Sequence, residues 1–204
     1  HLLYAAAGRF RAGPARPTVL AMTAEQFTAQ FLGALQDRTL PRFRDKCRTV
    51  DVLLIDDVQF LIGKKATLEE ALYTIDALQQ RGRQVLLTAD RAPNEFPRNA
   101  ASLAAKLAGG LALQIDPPDY EMRVAIVTAI ARRVDARLGE GVAEIVAQQV
   151  VGSARLLGGA INRLVATSMA LGQPITVGLA QTVLTDFARQ HTPQVQLADV
   201  QRAV

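Results

Sequence analysis

The chain has 204 residues, of which 50% are apolar and 21% charged, as in an ordinary globular protein. A net charge of +4 is too small to indicate a nucleic-acid partner by itself. No apolar run approaches the roughly 20 residues of a membrane-spanning helix, so we expect no membrane span. The single cysteine, Cys47, excludes an internal disulfide and fits a reducing compartment, which predicts a cytoplasmic location. The two histidines, His1 and His191, lie too far apart for a Cys/His metal site.

The first part of the chain predicts alternating helices and strands. A helix is expected from His1 to Gly13, followed by a short buried strand at Thr18–Met22. Thr23 and Gln26 match a capping box, with Thr23 as the N-cap of the next helix. A further short helix is expected from Leu40 to Lys46. The start of the chain is no signal peptide and lacks Met, so we expect a piece of a longer chain.

The second predicted helix carries an apolar stripe that we expect to pack inward, formed by Phe27, Phe31 and Leu35. Leu32 lies off this stripe and is expected to be exposed. Basic residues outnumber acidic ones between Arg9 and Arg48. This excess fits a phosphate-facing surface and a solvated basic face equally well.

The run Val50–Ile55 is nearly all apolar and ends in two adjacent carboxylates, Asp56 and Asp57. Such a run predicts a strand buried on both faces of a parallel sheet. Carboxylates at its C-terminal end would lie at the edge where open α/β sheets bind ligands. This is the form of a Walker B element, in which Asp56 binds Mg²⁺ through water and Asp57 polarises the water that attacks a γ-phosphate. On this pattern alone, a buried strand followed by a polar turn is as good an interpretation.

A second strand, Gln84–Thr88, ends in polar residues that include Asp90 and therefore meets the same edge. Helix Ala100–Ala108 and a last strand, Leu111–Ile115, are expected to follow. After the boundary at Asp116 the pattern is helical. The predicted helices run from Asp119 to about Arg137, from Val142 to Val151, from Ser153 to Leu171, and from Thr176 to near Arg189. They predict a small bundle, then a polar linker from Gln190 and an unfinished helix.

Several segments resemble, in the same order, the bacterial chromosomal replication initiator family DnaA, whose members are AAA+ ATPases. The run from Val50 to Lys64 resembles the Walker B region of that family. The other resembling segments are the initiator-specific helices (Ala24–Arg48), sensor 1 (Leu86–Pro93), the start of the lid (Pro117–Ile126), the sensor 2 helix (Ala154–Leu164) and the link into a DNA-binding domain (Ala198–Val204).

The resemblance implies a P-loop AAA+ fold, a three-layer α/β sandwich with a parallel sheet followed by an α-helical lid. The implied division is a nucleotide-binding subdomain at 1–116, a lid at 117–189, and a linker with the start of a helix at 190–204. The implied ligands are ATP or ADP with Mg²⁺, and the implied partners are single- and double-stranded origin DNA, further copies of the chain, a replicative helicase and regulators. ATP would drive assembly on the origin and duplex opening, and slow hydrolysis would end it.

The same resemblance assigns roles to individual residues. Asp56 and Asp57 would be the Walker B carboxylates, and Asp90 the polar residue of sensor 1. Arg155 would be the sensor 2 arginine, whose guanidinium can reach the β- and γ-phosphates. Arg48 would join subunits across the nucleotide interface.

The chain departs from the family pattern in its phosphate-binding loop, which is absent together with the strand before it. In the family that strand lies between those at Val85–Thr88 and Leu111–Ile115. Without it, backbone groups of both strands lack their shared partner. We therefore expect that the 204 residues alone bind ATP poorly, hydrolyse none, and aggregate or partly unfold.

Two further departures concern assembly and DNA. Lys106 stands where the family has an arginine finger, and lysine lacks the planar, forked geometry of arginine. Leu32 matches the apolar residue that contacts single-stranded DNA, but Gly33 and Ala66 stand at basic positions. The nearby Lys64, Lys65 and Arg38 are the candidates to replace them.

Two alternatives remain open. A DnaA-related regulatory or adaptor paralogue with weak or no ATPase activity is favoured by the changed finger and DNA positions. A helicase loader of the same superfamily is disfavoured by the initiator-specific stretch from Ala24 to Arg48.

Overall fold

The computed structural model describes residues 2–191, so the helix predicted from Leu197 and most of the linker before it lie outside the described residues. The chain divides into two compact units between Gln114 and Ile115, whereas the sequence placed the boundary after residue 116.

The first unit contains a parallel sheet of three strands in the order β1-β2-β3 within the described residues. The strands are β1 (Val19–Thr23), β2 (Val52–Asp56) and β3 (Gln84–Leu87). Its helices are α1 (Leu2–Ala12), α2 (Ala24–Gln36), α3 (Leu40–Arg48), α4 (Lys65–Gln80) and α5 (Ala101–Ala108). Short 3₁₀ turns cover Val58–Leu61, Pro93–Glu95 and Arg98–Ala100.

Strand β2 is the centre of this sheet and is buried on both faces. Val52 and Leu54 pack with Leu3 of α1 on one face. Leu53 and Ile55 point to the other face, into the core that α2, α3, α4 and α5 share. The unit therefore has three layers, and the predicted doubly buried strand is confirmed.

Helix α2 shows both a confirmed and a wrong prediction. The capping box is present, because Gln26 N donates to Thr23 Oγ1 and Thr23 N donates to Gln26 Oε1. Leu35 was predicted to face inward but is 41% exposed, and Ala34 is buried instead. Along a helix, a residue four positions further points about 40° away from the first. Leu35 is two such intervals from Phe27 and therefore lies outside the buried face. Leu32 is exposed, as expected.

The predicted strand Leu111–Ile115 is wrong. These residues form no strand of the described sheet, which ends at β3. The side chains of Leu111, Leu113 and Ile115 are 87%, 76% and 71% exposed. An alternating apolar pattern forms a strand only where a neighbouring backbone accepts its hydrogen bonds. In the described residues no strand lies beyond β3 to do so.

The second unit is helical in its described part and comprises α6 (Tyr120–Arg133), α7 (Val142–Gln149), α8 (Ala154–Leu171) and α9 (Val177–His191). Its core contains Val127, Val146, Leu157, Ile161 and Leu184. Side chains of Asp119 and Ser153 cap α6 and α8, and Gly172 ends α8 in the left-handed conformation. Helix α6 ends at Arg133, four residues before the predicted end. Within residues 2–191, no helix has the length and apolar character that crossing a membrane requires.

Candidate functional site

The candidate site lies at the carboxyl edge of the sheet, where β2 and β3 end side by side. Because the two strands are parallel, Asp56 at the end of β2 and Thr88 just after β3 reach the same edge. The Thr88 backbone N–H donates to the Ile55 carbonyl at 3.1 Å. This bond extends the ladder by one step and places the Thr88 side chain beside the two carboxylates.

Thr88 connects the two predicted Walker B residues. Its hydroxyl donates to Asp56 Oδ1 and accepts the Asp57 backbone N–H at 2.9 Å. The Val58 N–H donates to the Thr88 carbonyl at 2.9 Å. Thr88, just after β3, therefore forms hydrogen bonds with three consecutive residues, Asp56, Asp57 and Val58.

Asp57 has a left-handed backbone, with φ 59° and ψ 53°. Asp enters this region more easily than most residues, but the conformation still costs about 1 kcal/mol. Gln59 Nε2 donates to Asp57 Oδ1 at 3.1 Å, while Gln59 Oε1 is buried without a hydrogen-bond partner among the described residues. The left-handed turn thus ends the extended course of β2 at Asp57, and Gln59 binds the carboxylate there.

The chemistry of Asp56 and Asp57 fits Mg²⁺ bound mainly through water. Within residues 2–191, no cluster of three or more His, Cys, Asp or Glu side chains could enclose a metal ion. Mg²⁺ ordinarily keeps several waters and binds one or two carboxylates together with substrate phosphates. Asp56 Oδ2 accepts no hydrogen bond from the described residues, so it remains available to such a water.

The predicted sensor 1 residue, Asp90, lies two residues beyond Thr88 and is exposed. Its carboxylate forms a two-bonded ion pair with Arg91, with both N–O distances at 2.8 Å. These hydrogen bonds lower the pKa of Asp90 and raise that of Arg91. Asp90 is therefore a fixed anion whose partner in this structure is its own neighbour in sequence.

Arg48, the predicted subunit-joining residue, is bound within its own unit. Its Nη2 donates to Glu70 Oε1 at 2.6 Å, and its Nε lies 3.4 Å from Thr74 Oγ1. Arg44 binds both Glu70 oxygens, with Nε 3.0 Å from Oε1 and Nη2 2.7 Å from Oε2, and these contacts raise the pKa of Arg44. Glu70 is 4% exposed, so one buried carboxylate joins α3 to α4 through two arginines.

Lys106, the residue at the finger position, also has a partner within the chain. Its ammonium group forms an ion pair with Asp76 and donates to Gln79 Oε1 at 3.3 Å. The side chains of Lys106 and Asp76 are partly exposed. The pair connects α5 to α4.

The candidate DNA residues lie on exposed parts of the first unit. Leu32 is on α2, Lys64 immediately precedes α4, and Lys65 begins it. The 3₁₀ turn that precedes Lys64 packs against α2 and exposes Phe60, which is 47% exposed. The structure therefore adds an aromatic side chain between elements that carry the predicted residues.

Arg155 belongs to the second unit. It is the second residue of α8, and its side chain is exposed. It forms no ion pair with any residue in the described part of the chain.

Sequence reasoning did not assign roles to Thr88, Glu70 or Asp76. Thr88 could have been found, because it follows a buried strand as Asp56 does and polar residues there meet the same edge. Glu70 and Asp76 lie on a helix where acidic residues usually face solvent, so the sequence carried no signal for their partners.

Comparison with protein families identifies the first unit. A family model described as the bacterial DnaA ATPase domain matches residues 1–114. A chromosomal replication initiator protein DnaA from Thermomicrobium roseum is 38% identical over 204 residues, which is 97% of this chain and 43% of that protein. The chain thus spans less than half the length of this curated relative.

Solved structures agree with both units. Domain III of the replication initiation protein DnaA from Thermotoga maritima matches with a TM-score of 0.82 at 31% identity, over 93% of this chain and 79% of that one. A replication initiator DnaA bound to AMPPCP and single-stranded DNA matches with a TM-score of 0.69 at 27% identity, over 79% of this chain and 50% of that one. The AAA+ fold expected from the sequence is confirmed. The chain belongs to the DnaA family of bacterial replication initiators, and it has the fold of that family's ATPase domain.

Proposed function

We propose that this chain is the ATP-dependent switch of a replication initiator, and that its full-length form assembles on origin DNA with ATP and opens the duplex. The observation that carries the proposal is the pair of carboxylates, Asp56 and Asp57, joined through Thr88 at the carboxyl edge of the sheet. That a related DnaA binds AMPPCP and single-stranded DNA supports the same ligands here.

In this proposal the two carboxylates have different tasks. Asp56, whose Oδ2 is available, binds the water shell of Mg²⁺, which when bound neutralises charge on the phosphates. Asp57 lies one residue further, has a left-handed backbone and accepts a hydrogen bond from Gln59. Its carboxylate orients the attacking water and accepts hydrogen bonds from it.

The test uses the full-length gene product, with ATP binding and hydrolysis measured separately. We expect Asp57→Asn to keep ATP binding and to lose hydrolysis by about a hundredfold or more, as for removal of a general base. Asp45→Asn, at an exposed position on α3, is the matched control and should hydrolyse ATP like the unmodified protein. A protein that binds no ATP, or an Asp57→Asn variant with full hydrolysis, contradicts the proposal.

We further propose that Leu32, Phe60, Lys64 and Lys65 form the surface for single-stranded DNA. An exposed ring can stack on bases, and lysines can neutralise backbone phosphates. Phe60→Ala should weaken binding of an unstructured oligonucleotide about fivefold or more without changing its salt dependence. Lys64→Gln with Lys65→Gln should instead make the salt dependence less steep.

The exposed Tyr73 on α4 provides a matched control for Phe60. Tyr73→Ala should bind the oligonucleotide like the unmodified protein. Equal losses of oligonucleotide binding in Tyr73→Ala and Phe60→Ala would contradict the proposed surface, because an exposed aromatic residue elsewhere would then have the same effect.

The second candidate function is a regulatory or adaptor paralogue with little ATPase activity. The ion pair between Lys106 and Asp76 favours this second function, because Lys106, the residue at the finger position, is already bound within its own unit. Sedimentation of the full-length protein with ATP and with ADP separates the two functions. An initiator assembles further with ATP, whereas an adaptor shows the same size with either nucleotide.

A further inference from the structure

We infer that Thr88 is a positioning residue that sets the directions of the Asp56 and Asp57 carboxylates toward the nucleotide and its metal ion. The inference deepens the proposed function and rests on it. It comes from three contacts of one residue: hydroxyl to Asp56 Oδ1, Asp57 N–H to hydroxyl, and Val58 N–H to carbonyl.

The direction of each hydrogen bond is fixed by chemistry. The Asp57 backbone N–H can only donate, so the Thr88 oxygen must accept it. The single hydroxyl proton of Thr88 is then free to donate to Asp56, whose ionised carboxylate can only accept. The result is a chain from amide to hydroxyl to carboxylate, in which each bond strengthens the next.

This series of hydrogen bonds determines which carboxylate oxygen of Asp56 remains available. Asp56 Oδ1 is bound by Thr88, and Oδ2 accepts no hydrogen bond from the described residues. A carboxylate fixed through one oxygen cannot rotate freely, so the other oxygen keeps one direction. Thr88 thereby holds Asp56 in the orientation in which it can bind a metal-coordinated water.

Thr88 also supports the left-handed backbone of Asp57. Two successive amides, those of Asp57 and Val58, donate to Thr88. Without the hydroxyl, the Asp57 amide would lose its partner and the residue could relax toward the right-handed or extended regions. Such a change would redirect the Asp57 carboxylate.

The first test measures the positioning itself and needs no nucleotide. Hydrogen exchange of the Asp57 and Val58 amides is followed in the full-length gene product. Thr88→Val removes the hydroxyl at nearly constant shape and should speed exchange of the Asp57 amide about tenfold, as expected for a lost hydrogen bond, while the Val58 amide keeps its bond to the Thr88 backbone carbonyl. Thr88→Ser keeps the hydroxyl and should exchange like the unmodified protein. Thr28→Val, which removes a buried hydroxyl on α2, is the control and should leave these amides unchanged.

The second test measures the effect on the proposed reaction. In Thr88→Val we expect kcat for ATP hydrolysis to fall about tenfold to a hundredfold, the range for a hydrogen bond to a charged group. The Mg²⁺ concentration for half-maximal activity should rise, while ATP binding without Mg²⁺ stays unchanged. Thr88→Ser should restore both values.

The outcomes separate the inference from the proposed function. Unchanged amide exchange in Thr88→Val, or equal impairment of Thr88→Val and Thr88→Ser, overturns the positioning role. A full-length protein that binds no ATP overturns the proposed function, and the exchange measurement then still decides whether Thr88 orients the two aspartates.

Discussion

Lys106 on α5 forms an ion pair with Asp76 on α4 and so joins two helices of the same unit. The resemblance to the family predicts that the residue at position 106 acts across subunits. A side chain bound within its own unit must first leave that partner before it reaches another subunit. We therefore expect Asp76 to compete with any phosphate offered by a neighbouring copy.

The first prediction follows from this competition. Asp76→Asn removes the charge that binds Lys106 and should lower the protein concentration at which the full-length protein assembles with ATP. The stability loss should be below about 1 kcal/mol, because partly exposed ion pairs contribute little. Sedimentation velocity with ATP and a denaturant melt measure the two effects.

Two variants of Lys106 serve as its controls. Lys106→Ala should abolish any gain when combined with Asp76→Asn, and Lys106→Arg should assemble at least as well as the unmodified protein because it restores the forked geometry. If Asp76→Asn assembles equally well with and without Lys106, the competition does not exist.

The second prediction concerns Glu70, the buried carboxylate between Arg44 and Arg48. Glu70→Gln keeps the shape but loses the charge, so both arginines lose a charged hydrogen-bond partner. We expect a loss of about 1–3 kcal/mol in the free energy of unfolding. Chemical denaturation of the full-length protein measures it.

Cys47 provides a local measurement of the same change. It is buried on α3, and burial raises the pKa of its thiol to about 11, so alkylation requires opening of that helix. Alkylation should be faster in Glu70→Gln. Glu69→Gln, one residue away but exposed, should react like the unmodified protein. Equal alkylation rates of Cys47 in Glu70→Gln and Glu69→Gln would contradict a role of Glu70 in holding α3 closed.

The third prediction is a pH dependence from Asp51. The backbone N–H of Thr18, at 2.8 Å, is the main cause of its lowered pKa, followed by the Thr18 hydroxyl and then by the charge of Arg83. A pKa lowered by folding means that stability from this group is present above its ordinary value of 3.8. That stability is lost as the pH falls through the lowered folded-state value.

Asp51→Asn should therefore be less stable than the unmodified protein at pH 7, and the difference should shrink as the pH falls below about 4. Denaturant melts at several pH values measure it. Asp45 is an exposed carboxylate without a side-chain hydrogen bond in residues 2–191. The difference in stability between Asp45→Asn and the unmodified protein should therefore stay constant with pH. A constant difference for Asp51→Asn as well would contradict the prediction.

The fourth prediction concerns the exposed apolar segment formed by Leu111, Leu113 and Ile115. A run of exposed apolar side chains promotes association. Replacing all three by Thr in the 204-residue chain should reduce light scattering and leave the melting midpoint unchanged. Leu171→Thr, at another exposed leucine, should leave the scattering as it was. A triple variant that scatters as strongly as the unmodified chain would falsify this explanation.

The sequence alone predicted the features that depend on local pattern. The apolar run before Asp56 was correctly interpreted as a strand buried on both faces, because only such a strand excludes polar side chains from both its sides. The capping residue Thr23 was also found, since a cap acts within three residues of itself.

The tertiary structure decided what depends on distant partners. Thr88 reaches Asp56 across 32 positions, and Lys106 reaches Asp76 across 30, so no local pattern contains either contact. The segment Leu111–Ile115 has the alternation of a strand, yet strand formation needs a neighbouring backbone that a sequence pattern does not supply. The order of the polar groups at the sheet edge follows from strand pairing, and only the folded chain brings those groups together.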